Sequence, residues 1–180
     1  MKTITVPTKE QVSPESQILF EQLEKHLGKV PNLYATIGYS PQALKGLLDL
    51  EATVTAHSAF TGKEREAINL IVSQVNACDY CLAAHTAMAL KRGFSKEDTL
   101  AIRRGQVNDP KLNVLVQLSQ SIAENKGKAD GTRKERFFEA GYTEAALMEL
   151  VALITVRTFT NYAFALTEIP IDFPAAEPLN

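Results

Sequence analysis

Thr61-Gly-Lys-Glu64-Arg-Glu66-Ala-Ile68-Asn-Leu-Ile71-Val72-Ser-Gln-Val75-Asn76-Ala-Cys78-Asp-Tyr80-Cys81-Leu-Ala-Ala-His85 carries both the helical signal and the chemistry of this chain. Thr61 followed three residues later by Glu64 is a capping box, in which the hydroxyl and the carboxylate each take up a free backbone N–H at a helix start. Ile68, Ile71, Val72 and Val75 recur on one helical face, and this helix is expected to end near Asn76. A second helix is expected from about Cys78 to Arg92, stopped by Gly93.

The same signals recur on both sides. Ser13-Pro14-Glu15 starts a helix whose stripe is Ile18, Leu19, Leu23 and Leu27, and Gly28 ends it. The stretch from Val30 to Pro41 reads as a short helix or a packed connector. Leu44, Leu47, Leu48 and Val54 predict a long helix from Pro41 to about His57. Ser95-Lys-Glu-Asp98 caps a short helix through Arg103, and Asn108-Asp-Pro110 opens one bearing Leu112, Leu115, Val116, Leu118 and Ile122. The polar tract Asn125 to Thr132 reads as a loop, followed by a short helix around Arg133 to Ala140. Thr143-Glu-Ala-Ala146 opens the last long helix, to about Leu166. The tail Ile169-Pro-Ile-Asp-Phe-Pro-Ala-Ala-Glu-Pro178, with three prolines, cannot be helical. No segment alternates with period two, so the fold class expected is all-α.

Composition narrows the function classes. The 180 residues, 45% hydrophobic and 22% charged, suit one globular domain. Nineteen basic against twenty-one acidic residues give a net charge of −2, so no nucleic-acid partner is expected. The opening Met1-Lys-Thr-Ile-Thr-Val-Pro7 is too polar for a signal peptide. The most apolar stretch, Ala145 to Val156, is interrupted by Glu149 and is shorter than a bilayer span of ~20 residues. The expectation is therefore a cytoplasmic protein with no membrane partner. No nucleotide, flavin or phosphate motif is present, so no organic cofactor is expected.

Cys78, Cys81 and His85, at spacings of three and four, are expected on one helical stripe. Two thiols three residues apart can close a disulfide within one turn, and a helix N-terminus stabilises their thiolates. An imidazole one turn on, with an unperturbed pKa of ~6.5, suits a thiol's proton. Two blander readings stay open here: structural cysteines beside a core histidine, and a zinc site completed by His57, His26 or a carboxylate. Haem attachment is excluded because Leu82, not a histidine, follows Cys81. Glu66 sits about half a turn from the Ile68 stripe and reads, on periodicity, as an exposed first-turn acid. Glu64 is assigned the cap. Asn76 is expected to end one helix and begin the next by satisfying free backbone groups.

Glu66, Asn76, Cys78, Tyr80, Cys81 and His85, at the spacing E-x11-C-x2-C-x3-H, resemble the signature of the alkyl hydroperoxidase D (AhpD)-like proteins of the carboxymuconolactone decarboxylase superfamily. The core resemblance covers roughly residues 40–125. Val30-Pro-Asn-Leu-Tyr34, Thr160-Asn-Tyr and Ile169-Pro-Ile-Asp-Phe-Pro174 further resemble a subgroup labelled "peroxidase-related". The resemblance implies a single AhpD-like domain over 1–180, with an N-terminal arm over about 1–40, a core over about 41–125, and a C-terminal helix and tail over about 143–180. It implies a homo-oligomer, often a trimer or hexamer. It also implies a thiol peroxidase that uses no metal or cofactor. Cys81 would be oxidised by a small hydroperoxide and Cys78 would resolve it. Glu66 and His85 would relay the proton, with Tyr80 and Asn76 in support, and an external dithiol, a lipoyl-bearing protein in the best-known relatives, would reduce the disulfide. Tyr80 stands where some members carry a histidine, so a relay through a second imidazole is absent. Two alternatives belong to other classes. One is a carboxymuconolactone decarboxylase-type lyase recruiting Arg103, Arg104 or Arg157. The other is a non-catalytic redox sensor whose disulfide changes assembly.

Overall fold

In a computed structural model that describes residues 3–179, each expected helix start carries a side-chain cap or a proline. Met1, Lys2 and Asn180, the ends of the expected domain and of the opening segment, lie outside the described residues. The helices are α1 (Pro14–Leu27), α2 (Asn32–Ile37), α3 (Pro41–Ala56), α4 (Gly62–Val75), α5 (Asp79–Lys91), α6 (Lys96–Arg103), α7 (Pro110–Glu124), α8 (Gly131–Glu139) and α9 (Glu144–Thr167). Ser13, Ser40, Thr61, Cys78, Ser95, Asp109, Asp130 and Thr143 accept the first free N–H groups of their helices. No strand occurs among the described residues. The short element between Val30 and Pro41 is a helix, and the tail after α9 is irregular, as its prolines require.

α4 is the centre of the molecule, packed against α5, α6, α7 and α9. Ala67, Ile68, Leu70, Ile71 and Val72 are all buried, which a single apolar stripe does not describe. Because α4 is enclosed on several sides, Glu66 and Ser73 are carried inside with them. This corrects the expectation from periodicity that Glu66 is exposed. On one side of α4 the core is aromatic. Phe137 stacks on Tyr142 with centroids 4.4 Å apart, and Tyr142 meets Phe60 at 5.5 Å. The Tyr142 hydroxyl donates to Glu64 Oε1 at 2.5 Å, so the capping carboxylate also holds this cluster. The other core joins the N-terminal arm to the site: Phe20, Leu23, Leu33, Leu44 and Leu47 pack with Tyr80, Val156 and both cysteines.

α9 runs 24 residues and is long and apolar enough to cross a bilayer by length and composition, which the stretch Ala145 to Val156 had understated. Its inner face explains its place here instead: Arg157, Thr160 and Asn161 are buried against the helices around α4. Its outer face leaves Met148, Val151, Phe159, Tyr162 and Leu166 exposed.

Phe137 is fully buried at the hinge between α8 and the aromatic cluster. Phe137→Ala is expected to cost about 3–5 kcal/mol, through lost apolar burial and the cavity left behind. Urea unfolding followed by circular dichroism checks this, and a loss below about 1 kcal/mol would contradict the packing described.

Candidate active site

The site is built by the break between α4 and α5. Ala77 adopts a left-handed conformation, φ 49°, which costs a non-glycine residue roughly 1–2 kcal/mol and turns the chain sharply. Cys78 follows in extended conformation and is the N-cap of α5, not a member of its stripe. That corrects the expectation of a helical Cys78, although the two thiols still meet. Cys78 Sγ accepts the Cys81 backbone N–H at 3.3 Å. Both cysteines are free, and they are 1% and 2% exposed.

The two thiols are unequal. The Cys78 side chain hydrogen-bonds to Cys81 and, against the opposing effect of burial and with help from the charges of Arg157 and His85, lowers the Cys81 thiol to about 6. The same hydrogen bond, reinforced by burial, raises Cys78 far above the ordinary thiol range. The shared hydrogen bond thus favours ionisation of Cys81 over that of Cys78.

Around this pair stands a set of buried charges. Glu66 is 3% exposed, and burial alone would raise its carboxyl; the charge of His85 and the hydrogen bond from it outweigh that and hold it at about 2. His85 Nδ1 lies 2.7 Å from Glu66 Oε2, and Arg92 Nε donates to Glu66 Oε1 at 3.3 Å. Arg157 donates through Nε to Asn69 Oδ1 and through a terminal nitrogen to Thr160 Oγ1, both at 3.1 Å, and stands 3.7 Å from Glu51 Oε1. Thr160 Oγ1 in turn lies 3.9 Å from Cys81 Sγ. With Nδ1 turned to Glu66, the imidazole has Nε2 left for a proton at the thiols or a substrate.

A cavity of about 1110 Å³ opens onto this group. Cys81, His85 and Arg157 line it together with apolar walls that include Leu19, Leu23, Leu48, Met88 and Phe173. Cys78 does not line it and stands behind Cys81. Of the arginines considered for an anion pocket, Arg157 lines the cavity, whereas Arg103 is bound to Gln74 Oε1 and the Glu177 carbonyl. His26 reaches the rim, and His57 is an exposed residue at the end of α3.

The structure brings Cys78, Cys81, His85 and Glu66 together. Tyr80 is adjacent but faces away from the thiols: its hydroxyl donates to Asp172 Oδ1 at 2.6 Å and accepts Leu33 N–H at 3.2 Å. Asn76 closes α4, yet its side chain donates to Asn161 Oδ1 at 2.9 Å and not to a backbone group, a correction to the expected cap. Asn161 Nδ2 reaches Ser73 Oγ at 3.3 Å, so this side chain ties α9 to the turn before Cys78. Thr160, Asn161 and Asp172 are site residues that spacing arguments missed. The signal for the first two was present: Arg157, Thr160 and Asn161, at i, i+3 and i+4, share one face of a mostly apolar helix.

Residues 41–109 match the model of the carboxymuconolactone decarboxylase family. The chain is 26% identical over 118 residues to the uncharacterized protein YdfG of Bacillus subtilis (strain 168), an alignment covering 64% of this chain and 80% of YdfG. Among solved structures, a Cys-to-Ala variant of the debrominase Bmp8 in complex with 2,3,4-tribromopyrrole superposes with a TM-score of 0.80 at 19% identity, covering 96% of this chain and 92% of that one. The alkylhydroperoxidase AhpD core of an uncharacterized peroxidase-related protein from Ralstonia eutropha JMP134 gives a TM-score of 0.82 at 16% identity, covering 93% and 90%.

The rate of Cys81 alkylation by iodoacetamide is expected to follow a single ionisation with its midpoint near pH 6, below the ordinary 9.0. Cys78→Ala removes the hydrogen bond that contributes most and moves the midpoint upward. A wild-type midpoint above about 8, in the range of a free thiol, would contradict the asymmetric pair.

Proposed function

From a chain that carries a carboxymuconolactone decarboxylase family domain on an AhpD-like all-helical fold, we propose a thiol-dependent hydroperoxidase, or disulfide reductase, that works through Cys81 and Cys78. The observation that carries this reading is the pairing of Cys81, which lines the cavity, with Cys78, which does not line it and whose Sγ accepts the Cys81 backbone N–H at 3.3 Å. A nucleophile and its resolving partner need that order.

The steps balance as follows. Cys81 thiolate attacks the outer oxygen of ROOH, the O–O bond breaks, and the leaving RO⁻ takes a proton to become ROH while Cys81 becomes a sulfenic acid. Cys78 then attacks Cys81 Sγ, its proton leaves with the hydroxide as water, and the disulfide closes. The sum is ROOH plus two thiols giving ROH, water and one disulfide. An external dithiol then returns two electrons and two protons. His85, oriented through Nδ1 by Glu66, presents Nε2 to carry protons in both half-reactions. The buried charge of Arg157 favours the thiolate before attack. The exposed apolar face of α9 supports the further proposal that the working protein is a homo-oligomer.

A second reading rests on the apolar walls of the cavity and on the debrominase among the structural relatives. The same two thiols supply the two electrons that convert an aryl bromide to the arene, with bromide and a disulfide as the other products.

Consumption of cumene hydroperoxide with dithiothreitol as reductant tests the first reading. Turnover is expected in the wild type, with two thiols lost per chain when the reductant is omitted. Cys81→Ser is expected to abolish it. Cys78→Ser is expected to stop at a sulfenic acid that dimedone traps, and His85→Gln to slow turnover by ~100-fold. If both thiols stay reduced under excess hydroperoxide while a bromopyrrole releases bromide, the second reading replaces the first.

A further inference from the structure

Glu168, in the left-handed region at φ 47°, ends α9 and sends the tail back over the site. Pro170, Pro174 and Pro178 keep the tail from coiling, and it is fastened at successive points. Ile169 is buried, and Asn32 Nδ2 donates to the Pro170 carbonyl at 3.0 Å. Lys29 Nζ donates to Asp172 Oδ2 at 2.7 Å and to its carbonyl at 2.8 Å. Tyr80 supplies the 2.6 Å bond to the other carboxylate oxygen. Arg103 holds the Glu177 carbonyl at 2.5 Å. Between these anchors Phe173 meets the Tyr80 ring edge-on, centroids 5.6 Å apart, under Lys29 Nζ at 4.5 Å. In this position it borders the cavity whose floor is Cys81.

We propose that Phe173, positioned by the Asp172 latch to Tyr80 and Lys29, is the specificity-determining wall of the Cys81 cavity, and that the substrate brought to Cys81 is an aryl-bearing, apolar electrophile. This rests on the reading above that the cavity delivers the substrate to the Cys81 thiolate. The size of the cavity supports it. About 1110 Å³ is slightly above the ~300–1,000 Å³ of sites for drug-sized ligands. Hydrogen peroxide is near the size of a water molecule, ~30 Å³, and would leave the apolar walls with nothing to cover. Phe173 is also the cavity wall set by the tail and not by a helix. A half-buried ring in an irregular segment keeps one orientation only if its neighbours are fixed. Asp172 fixes them on both sides, through the carboxylate to two residues far away in sequence. Asp172 is therefore a positioning residue, and Phe173 is the residue that meets the substrate.

Alkylation of Cys81 tests this without requiring turnover. Rates for N-phenylmaleimide and N-methylmaleimide at pH 7 are compared on the reduced protein, with the labelled cysteine identified by peptide mapping. The phenyl-to-methyl rate ratio is expected to fall about fivefold in Phe173→Ala, the order of one lost aromatic contact, and to be largely retained in Phe173→Tyr. Asp172→Ala is expected to lower the ratio comparably. The double variant should fall no further than Phe173→Ala, since Asp172 acts through that ring. If Asp172→Ala does not fold, Lys29→Met breaks the same latch from the other side and should shift the ratio in the same sense. A ratio unchanged in Phe173→Ala, or effects that multiply in the double variant, would overturn the proposal. A chain that consumes no hydroperoxide but shows the shift keeps this wall and loses the peroxidase reading. Hydroperoxide turnover with an unmoved ratio has the opposite meaning.

Discussion

A carboxylate taken out of water must find partners, and in this molecule Glu66 of the central helix is almost wholly buried. Leaving such an ion unpaired costs several kcal/mol, comparable with much of the net stability of a domain. His85 from α5 and Arg92 just beyond it meet that demand from one direction. Arg157 from α9 is a second buried ion, held by Asn69 of α4 and Thr160 of its own helix and facing Glu51 of α3. Two buried charges therefore set the register of four helices, and the Cys81 thiol is lowered chiefly by the Cys78 hydrogen bond, with Arg157 and His85 adding to it. Because Glu66 is held at about 2 against the ordinary 4.5, the stability it contributes is present above the ordinary value and is lost as the pH falls toward the lower one.

What could be read from the chain divides along a physical line. Caps such as Ser13, Thr61, Ser95 and Thr143 were legible because a cap involves residues two or three apart and little else. The cysteine pair was legible for the same reason, and so was the irregular tail. Glu66 was not, because a periodic stripe presumes one buried face and α4 has several; family likeness, and not spacing, pointed to it. Asn76 was assigned its position but not its partner, since Asn161 is 85 residues away. Tyr80 was read as a group beside the thiols, where the structure commits its hydroxyl to Asp172 and Leu33. Cys78 was read as helical, and the left-handed Ala77 before it, unfavourable for any residue with a Cβ, is what no local rule would have chosen.

The site combines two kinds of support. Its reactive floor stands on helices whose packing leaves little freedom, which suits a thiol whose ionisation depends on fixed charges. One wall residue, Phe173, comes instead from an irregular segment fastened at single residues. The turn at Ala77 belongs to the first kind: strain is held there because Asn161 of α9 holds Ser73 and Asn76 just before it.

The latch also has a bearing on how the molecule comes into being. Lys29 and Asp172 are 143 residues apart, and Tyr80 and Asp172 are 92 apart. A chain emerges from the ribosome N-terminus first, at ~5–20 residues per second. α4 and α5 with both thiols are thus made well before the segments that complete their surroundings. Arg157 arrives only with the last helix, and Phe173 later still. The charge of Arg157, which adds to the Cys78 hydrogen bond in favouring the Cys81 thiolate, is consequently supplied only when the last helix has been made.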